Sequence, residues 1–355
     1  MERFGKGLII RRETPFKRGI YVVTVTYGER FRFLEQVIRG AFASGVDKII
    51  AVDNGSAPLS RQALRKLEQD SDAKVAVVAM PENLGSASGY KAGMEFALNC
   101  SDCEYVWLLD DDNQPAEGAL SEIFSHYEKL VHIVPPDRLV LASLREDWIH
   151  HRQIGQGMPV CKAFPRRSSF QWFHLLDLPK RLIRYFHPEK TRNTQEKVTS
   201  PVEIPFAPYG GLFFHKNVIS RFGYPDERFF VYGDDTVYTY RLTLGGGRLF
   251  LIPGSVILDV ERMWRLSTEA KHLFSALLIS GSDLRVYYAT RNQTYFDRHL
   301  WARNHVIYTL NKLAFFVMLT VFACRYGEWK RLALVARAVR QGEFGQLGRN
   351  RDLKD

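Results

Sequence analysis

Cysteine is scarce in this sequence. Four cysteines in 355 residues cannot frame a chain of this length with disulfides, and a reducing, cytosolic compartment fits that usage. Cys100 and Cys103, in CSDC, have metal-like spacing, but no second pair completes a four-ligand zinc site. An apolar signal-peptide core is also lacking, because LII near the N-terminus runs straight into RRE. No internal repeat stands out. The net charge is +10, yet no zinc-finger, basic-zipper or RNP-type pattern accompanies it, so the charge alone does not argue for a nucleic-acid partner.

That charge is segregated. Residues 1–19 carry +4, residues 145–200 carry +6 and residues 301–355 carry +6, which leaves the rest of the chain at −6. A basic tail, insert and C-terminal segment therefore flank an acidic centre. An anionic membrane surface or a phosphate-bearing substrate suits such a division, as does a merely solvated basic surface.

What is present is a regular rhythm. GIYVVTVTY, KIIAVDNGS, AKVAVVAM and EYVWLLD read as strands, rich in β-branched and aromatic residues. Helical patterns separate them: residues 29–43, with Phe33, Leu34, Val37, Ile38 and Ala41 on one face, then LSRQALRKLEQ, then SASGYKAGMEFALN. This alternation, from residue 20 to about 130, predicts an α/β domain with a mainly parallel sheet covered by helices. In such sheets ligands bind beyond the carboxyl ends of the strands. Polar residues sit at those ends: Thr26–Tyr27, Asp53–Asn54, Glu82–Asn83 and Asp110–Asp112.

From 145 to 200 the rhythm breaks into an aromatic, basic insert with scattered prolines. Regular patterns resume with PFAPYGGLFFHKNVISRFG, a helix at DDTVYTYRLTLGGG, and one or two strands in RLFLIPGSVILDV. The expected divisions are a basic tail 1–19, a catalytic unit 20–300 and a basic helical segment 301–355. The unit comprises a nucleotide half 20–144, the insert 145–200 and an acceptor half 201–300. Within the last segment an apolar run of about eighteen residues is interrupted by Asn311 and Lys312. That pattern fits a helix lying in a membrane interface, or one packed on the domain, better than a span.

The stretch VWLLDDDNQPAEG holds the sharpest signal. Like charges repel, and three adjacent aspartates at a strand end gain nothing unless a cation or a ligand is near. Hard carboxylate oxygens suit Mg²⁺ or Mn²⁺, which would neutralise a diphosphate. Asp110 and Asp112, two apart on an extended segment, are expected on one face, with Asp111 turned away into a structural role.

The ordered series YVVTVTYGER, IIAVDNGS, PENLGSASGYKAGMEFA and VWLLDDDNQP closely resembles the family 2 glycosyltransferases of the GT-A fold. The likeness continues in PYGGLFFHKNVISRFGYPDERFFVYGDDTVYTYRL and YYATRNQTYF. NLGSASGYKAG and FVYGDDTVYTYRL look most like bacterial galactofuranosyl- and rhamnosyltransferases of cell-surface glycans. The resemblance implies an inverting transfer of a sugar from a UDP- or dTDP-linked donor to a lipid-linked or polysaccharide acceptor, on the inner face of the plasma membrane, with Mn²⁺ or Mg²⁺.

It also implies roles. Thr26 and Tyr27 would line the nucleoside, and Asp53 would accept from a pyrimidine N–H. Asn83 and Gly85 would approach base and ribose, and Lys91 a phosphate, unless it is a plain helix-surface lysine. Asp110 would face ribose or metal, and Asp112 would be the main metal ligand. Asp259 stands about where many members place a metal-binding histidine. Asp235, with Asp234 as competitor, would be the base that deprotonates an acceptor hydroxyl. The other member of the pair would cap the helix. Tyr209, Gly210 and Gly211 would sit against donor sugar or acceptor, with core packing the alternative for the tyrosine. Phe230, Tyr232 and Trp264 would offer stacking faces.

Two other function classes remain on residue grounds. A sugar nucleotidyltransferase would want a Gly-rich triphosphate loop after the first strand, which TYGERFRF does not supply. A non-catalytic basic binding module leaves the acidic strand ends unexplained.

Overall fold

The computed structural model describes residues 18–179, 198–261 and 273–353. The first part of the chain folds as the rhythm implies. Strand β1 (Ile20–Gly28) leads to helix α1 (Phe31–Ser44), β2 (Lys48–Ser56), α2 (Pro58–Asp70), β3 (Val75–Ala79), α3 (Gly85–Asn99) and β4 (Tyr105–Asp110). β1 pairs in parallel with both β2 and β4, and β2 with β3. Both faces of β1 are covered, so Ile20 through Val25 are all buried and the strand reads as one apolar run. α1 buries Leu34, Val37, Ile38 and Ala41 at helical spacing. Each such fully buried side chain stabilises by about 1.5–3 kcal/mol relative to exposure.

The second part completes the sheet. Short β5 (Asn113–Pro115) and helix α4 (Ala119–Leu130) precede β6 (Leu139–Arg145). Short helices α5 (Ile149–Gly155) and α6 (Val160–Ala163) begin the insert, and β7 (Val202–Glu203) follows it. Then come β8 (Leu212–His215), α7 (Asn217–Phe222), α8 (Asp234–Leu244) and β9 (Arg248–Asp259). The order across the sheet is β3-β2-β1-β4-β8-β6-β9-β5, with β7 beside β9. β8 runs antiparallel to both neighbours, β4 and β6, while β6 and β9 are parallel. RLFLIPGSVILD is thus a single strand that bends at Pro253–Gly254, where the register against β6 shifts. Its first half pairs with β7 and its second with β5.

One apolar core fills each face of the sheet. A third joins Phe170 and Phe173 of the insert to the C-terminal helices α9 (Leu273–Ile279), α11 (His305–Tyr326) and α12 (Trp329–Glu343). Helix α10 (Asp283–Tyr295) packs between α12 and the loop before α8.

Candidate active site

The carboxyl ends of β1, β2 and β4 open on one side, as in other parallel sheets. β4 ends at Asp110, and Asp111 and Asp112 form a turn. The period-two argument for Asp110 and Asp112 therefore does not reach Asp112, but Asn113 and Arg145 still link the two carboxylates while Asp111 is buried on Arg30 and Thr26. Asp110 accepts from the Tyr90 hydroxyl at 2.7 Å and from Arg145 Nη1 at 2.7 Å. Asp111, deeply buried, accepts from Thr26 Oγ1 at 2.8 Å and from both Nε and Nη2 of Arg30. Asp112 lies between these groups, taking Arg30 Nη2 at 2.9 Å on one oxygen and Asn113 Nδ2 at 2.8 Å on the other. Arg30 also pairs with Glu261.

The three aspartates thus lie between two arginines. Burial pushes Asp112 well above the usual carboxylate range, with added repulsion from Asp110 and Asp111. Burial raises Asp111 too, while Arg30 and Thr26 oppose the rise. Asp259 is aligned with Asn113 across the β5–β9 pair and accepts from the Glu261 amide at 2.9 Å. Its carboxyl is raised by burial and by Asp147.

Asp110, Asp112 and Asp259 offer only hard oxygen donors, the chemistry that Mg²⁺ or Mn²⁺ prefers. Among the described residues no group of three His, Cys, Asp or Glu is arranged to hold a metal. A diphosphate-bound Mg²⁺ needs only one or two carboxylates, with phosphate oxygens and water completing its shell. The donor set fits on that basis.

On β2, Asp53 is buried. Its oxygens accept from the Ser56 amide at 2.7 Å and from Arg61 Nε at 2.9 Å. Asn83 caps the entry to α3 by accepting from the Gly85 amide at 3.0 Å, and Asn54 braces the same turn. Gly85 has φ +85°, and a Cβ there would overlap the Phe230 carbonyl. The close approach that requires glycine is thus to another part of the chain. Tyr27 stands exposed at the mouth with Arg30 against its ring. Lys91 pairs with Glu227 at 2.6 Å on the surface, so it is not among the residues brought together.

The chain beyond residue 200 enters from the side of β8. At Gly210 a Cβ would collide with Asn113, Arg145 and Asp110, so only glycine leaves room for that cluster. The Gly211 amide donates to the Leu108 carbonyl at 2.7 Å and so starts β8. Tyr209 is buried between Tyr90, whose ring centroid lies 4.3 Å away, and Tyr238. This is the core-packing alternative.

Asp234 and Asp235 open α8, where the helix dipole favours negative charge. Asp234 is buried and accepts from Ser86 Oγ at 2.9 Å. Burial and repulsion from Asp235 raise its carboxyl. Asp235 is less buried, caps the Thr236 amide at 2.6 Å, and is raised by burial and by Asp110.

The loop ahead of α8 is strained. Phe230 and Tyr232 have φ +66° and +65°, a region non-glycine residues avoid. Asn292, on α10, holds that loop by donating from Nδ2 to the carbonyls of Phe229, Val231 and Tyr232 at 3.0, 2.9 and 2.7 Å. Arg291 orients Asn292 through Nε at 2.9 Å. Phe230 is packed against Tyr288 rather than open, and Tyr232 is half-buried. Trp264 lies outside the described residues.

Arg30, Arg145, Asn113, Glu261, Ser86 and the Arg291–Asn292 pair were not singled out from sequence. Arg145 ends β6 and could have been found by the strand-end rule that found the aspartates. Arg291 and Asn292 stand in YYATRNQTYF, but no local signal shows that their side chains reach a loop some sixty residues away.

Residues 21–219 match the model of glycosyl transferase family 2. The galactofuranosyltransferase GlfT1 of Mycolicibacterium smegmatis is 26% identical over 203 residues, which cover 56% of this chain and 57% of that protein. The chain thus spans little more than half of that curated relative. Solved structures with a similar course include GalNAc-T7 with UDP, GalNAc and Mn²⁺ (15% identity, TM-score 0.48, 78% of this chain and 50% of that one). Another is S. aureus TarS residues 1–349 with UDP (13% identity, TM-score 0.42, 79% and 66%). The matched family model spans more than half of the chain, and it removes the nucleotidyltransferase and non-catalytic readings: the chain belongs to glycosyl transferase family 2.

Proposed function

We propose that this glycosyltransferase moves galactofuranose or rhamnose from a UDP- or dTDP-sugar, with inversion, to a lipid-linked or cell-surface polysaccharide acceptor at the cytosolic membrane face. The observation that carries the reading is the Asp110–Arg145 pair at 2.7 Å at the end of β4, with Gly210 packed against it and Asp235 near enough to feel the charge of both. A diphosphate end and a base are needed within reach of each other, and these residues supply both. The galactofuranosyltransferase relative supports the choice of sugar.

In this reading Thr26, Tyr27, Asp53, Asn83 and Gly85 surround the nucleoside. Asp110 and Asp112, and Asp259 if it contributes, would hold Mn²⁺ or Mg²⁺, which would supply charge neutralisation for the departing diphosphate. Asp235 takes the proton of the acceptor hydroxyl as its oxygen bonds to the anomeric carbon and the bond to the diphosphate oxygen breaks. The opposite faces of attack and departure give inversion. Asp234, pinned to Ser86, positions the start of α8.

Transfer from UDP-galactofuranose and dTDP-rhamnose is the test, with Asp235→Asn and Asp234→Asn beside wild type. Loss of roughly 10²–10⁴-fold in turnover for Asp235→Asn is expected. Full activity in both variants would dismiss the base assignment. Full activity after chelation would dismiss the metal.

A further inference from the structure

Helix α11 has two apolar faces. One is buried: Tyr308, Phe315, Leu319 and Ala323, with Asn311, face the core shared with Phe170, Phe173 and Phe274. The opposite side carries Val306, Leu310, Leu313, Val317 and Val321, which are 51–69% exposed. At 1.5 Å per residue this stripe runs about 22 Å. A surface helix of a water-surrounded domain turns polar residues outward, and this one does not.

The surroundings of the stripe name its cover. Residues 303–327 contain no Asp or Glu. Arg303 precedes the helix, Arg325 lies in its last turn and Lys330 follows, all exposed. Exposed Tyr326 and Trp329 stand at the same end as Arg325 and Lys330. Aromatic and basic residues flanking an apolar stripe match the headgroup layer of an anionic bilayer, with acyl chains beneath. Because its other face packs on Phe170, Phe173 and Phe274, the Val306–Val321 stripe is the side of α11 left for lipid.

We infer that the Val306–Val321 face of α11 rests in the plane of an anionic bilayer surface and docks the enzyme there. The inference deepens the proposal of a membrane-borne acceptor by naming the surface that brings the cleft to it. A second copy of the chain is the competing occupant of the same face.

The test uses the full chain and sedimentation with vesicles of phosphatidylcholine alone or mixed equally with phosphatidylglycerol. The variant Leu313→Glu/Val317→Glu places charge on two exposed positions, and its fold is checked by thermal unfolding. Wild type is expected to bind the anionic vesicles, and the variant about a hundredfold less. Equal binding of both, or no binding by either, overturns the inference. A wild-type dimer that the variant splits, without vesicle binding, also overturns it in favour of the second copy. Transfer to a water-soluble acceptor is measured without vesicles. It is expected to be equal in both proteins, and its absence from both would strike the proposed reaction while leaving vesicle docking standing.

Discussion

Replacing Asn292 with alanine tests whether the strained loop governs turnover. Phe230 and Tyr232 each hold a positive φ, Phe230 as the centre of a γ-turn with ψ −76°, at about 1–3 kcal/mol apiece. Asn292 Nδ2 has two protons and serves three carbonyls of that loop. Losing them forfeits three bonds, about 3 kcal/mol in all, although the Phe229 carbonyl keeps Arg291 Nη2 and the Val231 amide. That matches the strain, so the loop is expected to relax toward ordinary backbone angles. Gly233 connects it directly to Asp234 and Asp235, and a shift of about 1 Å at a catalytic group costs about 10²-fold in rate. Turnover, followed as released nucleoside diphosphate, should fall by about that factor, and Tm by less than about 6 °C, since the released strain offsets part of the lost bonds. Donor affinity is expected to shift as well, because Phe230 of the same loop abuts Gly85. A variant with lowered Tm and wild-type kcat would refute the reasoning, because the loop would then be mere scaffold.

Three further outcomes are expected. Asp235 must be deprotonated to act as base and its carboxyl is raised by burial, so kcat/KM should fall as pH drops through a value above the ordinary carboxylate range; a profile flat to the ordinary range would contradict this. Asp297 is buried and raised to about 8 by desolvation, against bonds from the Gln171 amide and Gln293, so the folded state holds a proton that the unfolded state releases. Stability from this group is therefore present at low pH and lost as pH rises toward about 8, and Asp297→Asn should flatten the dependence of Tm on pH; an unchanged slope would count against it. Gly85→Ala would overlap the Phe230 carbonyl and strain a φ of +85°, and should lower both donor affinity and turnover. A change in affinity alone would show that the contact between the two halves has no catalytic weight.

The parallel half was legible because its strands are buried on both faces and its helices are amphipathic, so local pattern and final fold agree. Asp53, Asp110 and Asp235 were found because polar groups at strand ends and helix starts stand out against apolar runs. What escaped was long-range pairing. Asp111 is partnered by Arg30, 81 positions earlier, and the insert is ordered partly by helices that follow it by more than a hundred residues. Neither distance leaves a periodic trace. The pleat argument for Asp112 lapses for a different reason: period-two alternation holds only while the strand continues, and it stops at Asp110.

The junction of Gly85 and Ser86 with Phe230 and Asp234 has one more consequence. In the proposed reading the first turn of α3 lies beside the nucleotide, and it touches the loop and helix that would present the base. Arrival of the donor and placement of Asp235 are then two readings of one mechanical state. An enzyme built this way favours a kinetic order, with the sugar nucleotide bound before the acceptor hydroxyl is activated. Such an order would also limit wasteful hydrolysis, since water reaching an empty cleft finds no donor and water reaching a filled one must compete with the acceptor.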